Sequence, residues 1–226
     1  MSLRTKLLLR VFIALSLLVA LLFIPAGTFR FWQGWALLAL AFIPTSMTFL
    51  YFYKHDPQLM VRRLESKEKV GEQKWLVRLL RPVFFLVLLL PCLDYRFGWT
   101  RAHLRAVPLW LELLAQALFL GGYLLVVWTL NVNRFAARTI RVEPGQQVIS
   151  AGPYGLVRHP MYSGSLLMLL SVPLILASYF GLFAFLLLVP FYVLRLLNEE
   201  KVLRQELPGY PEFCVRTRYH LIPFVW

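Results

Sequence analysis

Acidic residues are scarce in this chain: 11 Asp and Glu stand against 24 Lys and Arg among 226 residues, and charged residues of all types make up 15%. A soluble domain carries about 25% charged and about 45–50% apolar residues. Here 59% are hydrophobic and the mean hydropathy is +0.65. That balance excludes an ordinary soluble globule and places the chain in a bilayer. Cysteine is nearly absent as well. Cys92 and Cys214 lie far apart and form no CxxC pair, so neither a disulfide framework nor a thiolate metal site is expected. His55, His103, His159 and His220 show no HxxxH or HExxH spacing, and no metal is expected. There is no GxGxxG or Walker loop, and spacing alone builds no Ser or Cys nucleophile with a His partner. The net charge of +13 is divided between apolar segments rather than gathered on one continuous face, so nucleic acid is not an expected partner.

What the chain does have is long apolar runs. A helix needs roughly 20 apolar residues to cross the hydrocarbon core. Candidates fall at about 7–25, 35–53, 79–94 and 109–130, the third of them the weakest. A longer run from Ser163 to Leu197 carries Pro173, Ser178 and Gly181 as turn residues, and reads as a helical hairpin over 163–177 and 180–197. The expected fold class is therefore an all-α integral membrane protein of about six transmembrane helices with a C-terminal hairpin. The first run follows Arg4, Lys6 and Arg10 like a signal peptide. It ends in "FIPAGTFRFW", a poor cleavage site, and is read as a retained helix.

Charge fixes the expected orientation. With both termini cytosolic, only Arg30, Arg96, Arg101 and Arg105 of the 24 basic residues fall on the outer side, the asymmetry of the positive-inside rule. A bacterial inner membrane and an endoplasmic-reticulum-type membrane both suit this. Residues 1–108 divide off as N-terminal spans with a basic loop at 54–78, expected to contain a surface amphipathic helix. Residues 109–226 contain the fourth span, the loop 131–162, the hairpin and the tail 198–226.

The unusual polar residues sit in that second part, on one side. "GQQVISAGPYGLVRHPMYSG" (145–164) has four glycines, two prolines and a short strand-like run, "QVIS". Such backbone turns and makes close approaches, and at membrane depth it is tolerated only where it is buried in protein or lines a cavity. The plainer alternative is an interfacial loop, with Arg158 snorkelling to headgroups and Tyr154 and Tyr162 in an aromatic belt. In "RLLNEEKVL", Arg195 and Glu199 are four apart on one helix face. They form either an ordinary ion pair, with Lys201 and Arg204 available to Glu200, or a site at the membrane edge. Gly121–Gly122 reads as a close helix contact, Glu112 as a residue that reaches the interface, and most of the seven tryptophans as lipid-facing or belt residues.

Together, "GPYGLVRHPMYSG", "RLLNEEKVL" and "LPGYPEFCVRTRYHLIPFVW" resemble the isoprenylcysteine carboxyl methyltransferases and their wider relatives, the small membrane methyltransferases that include phospholipid N-methyltransferases. The resemblance covers roughly residues 110–226 and rests on RHPxYxG, RxxxEExxL and GYxxF in that order. It implies S-adenosylmethionine-dependent methyl transfer at the cytosolic face, in a loop and tail that bind the cofactor. Cofactor contacts would fall on Gln147, Val148, Ile149, Tyr154, His159, Pro160, Met161, Tyr162 and Glu199, with Arg158 and Glu200 as further candidates. Arg195 would orient the substrate carboxylate. Family members often have a glutamine where this chain has Arg141, which leaves that contact in doubt. The implied partners are membrane lipid and a lipophilic or small-molecule methyl acceptor: a prenylated carboxylate, a small thiol or a phospholipid amine. A carboxylate or thiolate needs no general base, whereas an amine or neutral thiol would turn to His159. Sterol reductases also resemble this C-terminal region, including an RHPxY-like step, and use a nicotinamide cofactor. A non-catalytic scaffold or transporter would leave the RHP and EE clusters without a common purpose.

Overall fold

A computed structural model describes residues 3–59, 71–136, 142 and 145–226. Its helices are α1 (Leu3–Ala26), α2 (Trp32–His55), α3 (Gly71–Phe97), α4 (Trp99–His103), α5 (Leu109–Val132), α6 (Pro160–Ile175), α7 (Gly181–Glu206) and α8 (Tyr210–Arg216), with a single 3₁₀ turn at Gly152–Gly155. Among the described residues there is no strand. The protein is an all-α membrane protein. Among the described residues, four helices are long and apolar enough to cross a bilayer: α2, the stretch Trp75–Phe97 of α3, α5 and α7. Two shorter apolar helices, Phe12–Ala26 and α6, accompany them.

The third span departs from expectation. It continues to Phe97 and contains the most apolar window of the four, despite Pro82 and Pro91. Proline within a membrane helix frees backbone groups that neighbouring turns and helices satisfy again. Of the expected surface helix over 54–78, residues 71–78 belong to α3, and 60–70 lie outside the described residues. "QVIS" forms no strand and has no regular secondary structure. Val148 and Ile149 favour extended backbone locally, but a strand needs a partner edge.

α6 and α7 are the predicted hairpin. Leu176 caps α6, Ala177 adopts a left-handed φ of 55°, and the chain re-enters helix at Gly181. Gly181 is required by space: a Cβ there would stand 2.6 Å from Pro91 Cγ of α3. α5 lies against α6 along its length and α3 against α7, with α1 packed on α3. At the α5–α6 crossing, Gly122 and Gly164 face each other so closely that a Cβ on either would come within 2.6 Å of the other's carbonyl oxygen. The expected glycine contact therefore belongs to Gly122; a Cβ at Gly121 would meet nothing within 4 Å. Leu22, Phe31, Val87, Ala115, Ile175 and Leu188 fill the centre of the bundle.

These helices leave polar groups at both ends. At the hairpin end, Asp94 is 2% exposed. Its Oδ1 accepts the backbone N–H of Thr100 at 2.7 Å, and its Oδ2 accepts the hydroxyls of Thr100 and Ser178. Thr100 Oγ1 accepts the Tyr179 N–H at 3.1 Å, and Ser178 Oγ accepts the Gly181 N–H at 3.0 Å. This knot ties α3 and α4 to the α6–α7 turn. Nearby, Glu112 corrects its expected place at the interface: it is 5% exposed and accepts a 3.4 Å hydrogen bond from Gln33 of α2. At the opposite, loop end, the chain between α5 and α6 and the chain after α7 fold together.

Candidate functional site

At the loop end a cavity of about 340 Å³ opens between the extended segment 146–149, the first turn of α6, the last turns of α7, and α8. Its size lies within the range of small-molecule sites, about 300–1,000 Å³. α7 contributes Tyr192, Arg195, Glu199 and Leu203, whose three- and four-residue spacing makes them one helix face. α6 contributes Met161, Tyr162 and Ser165, and the preceding loop contributes Tyr154, Arg158 and His159. Gln147, Val148 and Ile149 form another wall.

The two helices meet through a short bond: Tyr162 Oη donates to Glu199 Oε2 at 2.6 Å. The ring of Tyr162 lies edge-on between His159 and Tyr192, with centroids at 5.8 and 5.9 Å. Arg195 also interacts with the Tyr162 hydroxyl. On the loop side, Asn133 Nδ2 donates to Tyr154 Oη at 2.7 Å. Burial pushes the Tyr154 hydroxyl up to about 12; the bond from Asn133 opposes this and the charge of Glu199 adds to it. Thr217 Oγ1 donates to the Tyr154 carbonyl at 3.1 Å, which ties the end of α8 to the 3₁₀ turn.

Behind this wall lies a charged knot. Arg158 is 6% exposed. Its guanidinium reaches Glu200 Oε1 at 3.2 Å, donates to the Arg218 carbonyl at 3.1 Å, and lies 2.7 Å from His220 Nε2. His159 Nε2 is also 3.2 Å from Glu200 Oε1, and His220 Nε2 is 3.4 Å from Glu200 Oε2. Arg204 adds a longer contact at 3.7 Å. The tail holds the knot in place: the Arg158 and His159 backbone N–H groups donate to the carbonyls of Tyr219 and His220 at 2.8 and 3.0 Å. Ser163 Oγ donates to the Leu221 carbonyl at 2.7 Å. Burial lowers the pKa of His220 most; Glu200 opposes it, and Arg158 and His159 lower it further.

The structure therefore brings Arg195, Gln147, Val148, Ile149, Tyr154, Arg158, His159, Met161, Tyr162 and Glu199 to one cavity. Two candidates fall elsewhere. Pro160 is absent from the cavity wall and starts α6, where its missing N–H costs nothing. Glu200 points away from the cavity into the charged knot. Arg141 lies outside the described residues. The plainer alternatives for Arg158, Tyr154 and Tyr162 give way: none of the three is an exposed interfacial residue. Asn133, Tyr192, Tyr210 and Phe213 also line the cavity. Continuing the α7 face back one turn from Arg195 would have found Tyr192. The spacing of GYxxF carries both Tyr210 and Phe213. Nothing in the sequence marks His220.

An all-α membrane bundle with a polar cavity where a loop folds over a helix end is the class that this fold and site define. Residues 110–208 match the family described as phospholipid methyltransferase, a branch of the isoprenylcysteine and phospholipid methyltransferase superfamily. The match includes every cavity residue of α6, α7 and the loop before them. The chain is also 34% identical over 91 residues to the mouse (Mus musculus) delta(14)-sterol reductase TM7SF2, a stretch that covers 39% of this chain and 22% of that protein. The chain thus matches just under a quarter of that relative's length.

Proposed function

We propose that the protein is an integral membrane S-adenosylmethionine-dependent methyltransferase. Its acceptor is lipophilic, with carboxyl O-methylation of an isoprenylcysteine-like molecule as the first reading and a small thiol or phospholipid amine as the alternatives. The observation that carries this is the joining of RHPxY and RxxxEE residues, 37 positions apart, through the Tyr162–Glu199 bond in the wall of one cavity. Buried polar atoms without partners in that wall, Arg158 Nε and Tyr210 Oη, suit a polar ligand.

When bound, S-adenosylmethionine supplies a sulfonium-activated methyl group with its own leaving group. The protein's task is then to hold donor and acceptor in line and to exclude water. Glu199 would accept from ribose hydroxyls or the amine, and Tyr154 with the segment 147–149 would hold the base. Arg195, deeper along the same α7 face, orients an acceptor carboxylate, which guanidinium matches bidentately. A carboxylate oxygen attacks as it stands, so no proton need be removed; an amine or thiol acceptor would engage His159. The basic residues on the loop side orient both termini to the cytosol, in a bacterial inner or endoplasmic-reticulum-type membrane.

The similarity to a sterol reductase supports a second reading, a nicotinamide-dependent reductase using the same cavity. Calorimetric titration of the purified protein in micelles with S-adenosylmethionine and with NADPH separates the two. Binding of the first alone supports methyl transfer; binding of NADPH alone overturns it.

A further inference from the structure

The cavity wall contains two buried donors that have no partner among the described residues. Tyr210 is 4% exposed, Arg158 is 6% exposed, and both line the cavity. Among the described residues, Tyr210 Oη and Arg158 Nε have no hydrogen-bond partner. Every other nitrogen of Arg158 is engaged by Glu200, the Arg218 carbonyl or His220. An unsatisfied buried donor costs about 1–3 kcal/mol, so two in one wall mark a place where a ligand's acceptor completes the structure.

Tyr210 is placed there deliberately. Gly209, at φ 81°, turns the chain out of α7 and into α8. The ring of Phe213 holds that of Tyr210 at 5.7 Å, and the Thr217 bond anchors the other end of α8. Burial raises the pKa of the Tyr210 hydroxyl, so it keeps its proton as a donor at any physiological pH. After burial, the charges of Glu200 and Glu199 raise that pKa further, and the charge of Arg158 opposes them.

We infer that Tyr210 Oη and Arg158 Nε form a carboxylate subsite, which receives the amino-acid end of S-adenosylmethionine. This rests on the proposed function; it adds Tyr210 of α8 to the cofactor contacts and gives Arg158, already a candidate contact, a particular group to hold. Both orphans are donors and one is cationic, so the group they lack is an anionic acceptor. Of the acceptors on the cofactor, the carboxylate is the anionic one; the adenine ring nitrogens and the ribose oxygens are neutral, and the decarboxylated analogue tells these apart. The ribose hydroxyls and the amine are donors and suit Glu199. The carboxylate would then sit against α8, with Arg195 left to the methyl acceptor.

The test compares S-adenosylmethionine with its decarboxylated analogue on wild-type protein and on Tyr210→Phe, by calorimetry in micelles, with the melting temperature of each ligand-free protein as the second readout. Removing a hydroxyl that has no partner leaves the ligand-free melting temperature unchanged or raised. The same change weakens S-adenosylmethionine binding about tenfold, the value of a hydrogen bond to a charged group. The decarboxylated analogue binds wild type more weakly than S-adenosylmethionine and loses less than about twofold on Tyr210→Phe. Equal losses for both ligands, or no loss for either, overturn the subsite while leaving the methyltransferase reading intact. Absence of S-adenosylmethionine binding to wild type overturns the function reading itself.

Discussion

The two ends of this bundle both bury charge, and they do it differently. At the hairpin end, Asp94 is surrounded by Thr100 and Ser178, whose own oxygens accept N–H groups in turn. The Asp94 knot closes on itself, although among the described residues Gln33 Oε1, beside Glu112, has no partner. At the loop end, Arg158, Glu200 and His220 form a comparable knot, but it backs onto a 340 Å³ cavity where Arg158 Nε and Tyr210 Oη have no acceptor among the described residues. A buried polar group that is fully satisfied supports the fold; one left unsatisfied beside a cavity calls for a partner, either a ligand or a water. We propose that the loop end binds a ligand and that the Asp94 knot serves the fold, although burial alone would rank them alike.

Breaking the hairpin end has the largest expected effect on folding. Asp94→Ala leaves the Thr100 N–H and two hydroxyls without their acceptor and lowers stability by about 3 kcal/mol, read as a fall in melting temperature in micelles. Its S-adenosylmethionine affinity stays within about twofold of wild type. Loss of binding by the folded variant would erase the distinction between the ends. Glu199→Gln does the reverse: affinity falls roughly 10- to 100-fold, the range of a charge-assisted hydrogen bond, while the ligand-free melting temperature moves less than for Asp94→Ala. Unchanged affinity removes Glu199 from the site.

Arg195→Ala sharpens the loop end by dividing it. It lowers kcat/KM for a carboxylate acceptor about tenfold or more while S-adenosylmethionine affinity holds; a matching loss of cofactor affinity would assign Arg195 to the cofactor instead. The smallest effect concerns pH. Because burial holds His220 below its ordinary value, the folded chain binds fewer protons than the unfolded chain as pH falls from about 7. The stability given by the neutral ring is present above about pH 6.5 and is lost as pH drops through the lowered folded value. Melting temperatures measured from pH 8 to 5 should therefore fall more steeply for wild type than for His220→Gln. Identical slopes contradict the assignment.

Much of this was legible in the sequence because it depended on period and order. Apolar run length located six apolar helices, four of them long enough to cross a bilayer; Pro173, Ser178 and Gly181 placed the hairpin, and one helical turn put Arg195 and Glu199 on one face. What was not legible depended on contacts across the chain. Glu112 looks interfacial by depth, yet Gln33, 79 residues earlier, takes it inside. "QVIS" has strand propensity but no strand to pair with. Pro160 and Glu200 belong to motifs whose neighbours line the cavity, yet one starts a helix and the other turns into the charged knot. Neither distinction follows from spacing, because adjacent helical residues point about 100° apart. His220 enters the knot only because the tail folds back on Arg158 and His159.

The central claim is that the loop end is a binding site and the hairpin end is not. Thermal unfolding of wild type, Asp94→Ala and Glu199→Gln, each with and without S-adenosylmethionine at about 100 times the wild-type Kd, tests it most directly. A ligand at that excess stabilises the native state by about 2.7 kcal/mol. Wild type and Asp94→Ala should rise together from different starting temperatures, while Glu199→Gln should gain much less. A full rise in Glu199→Gln, or a rise in wild type with NADPH and none with S-adenosylmethionine, would contradict the account.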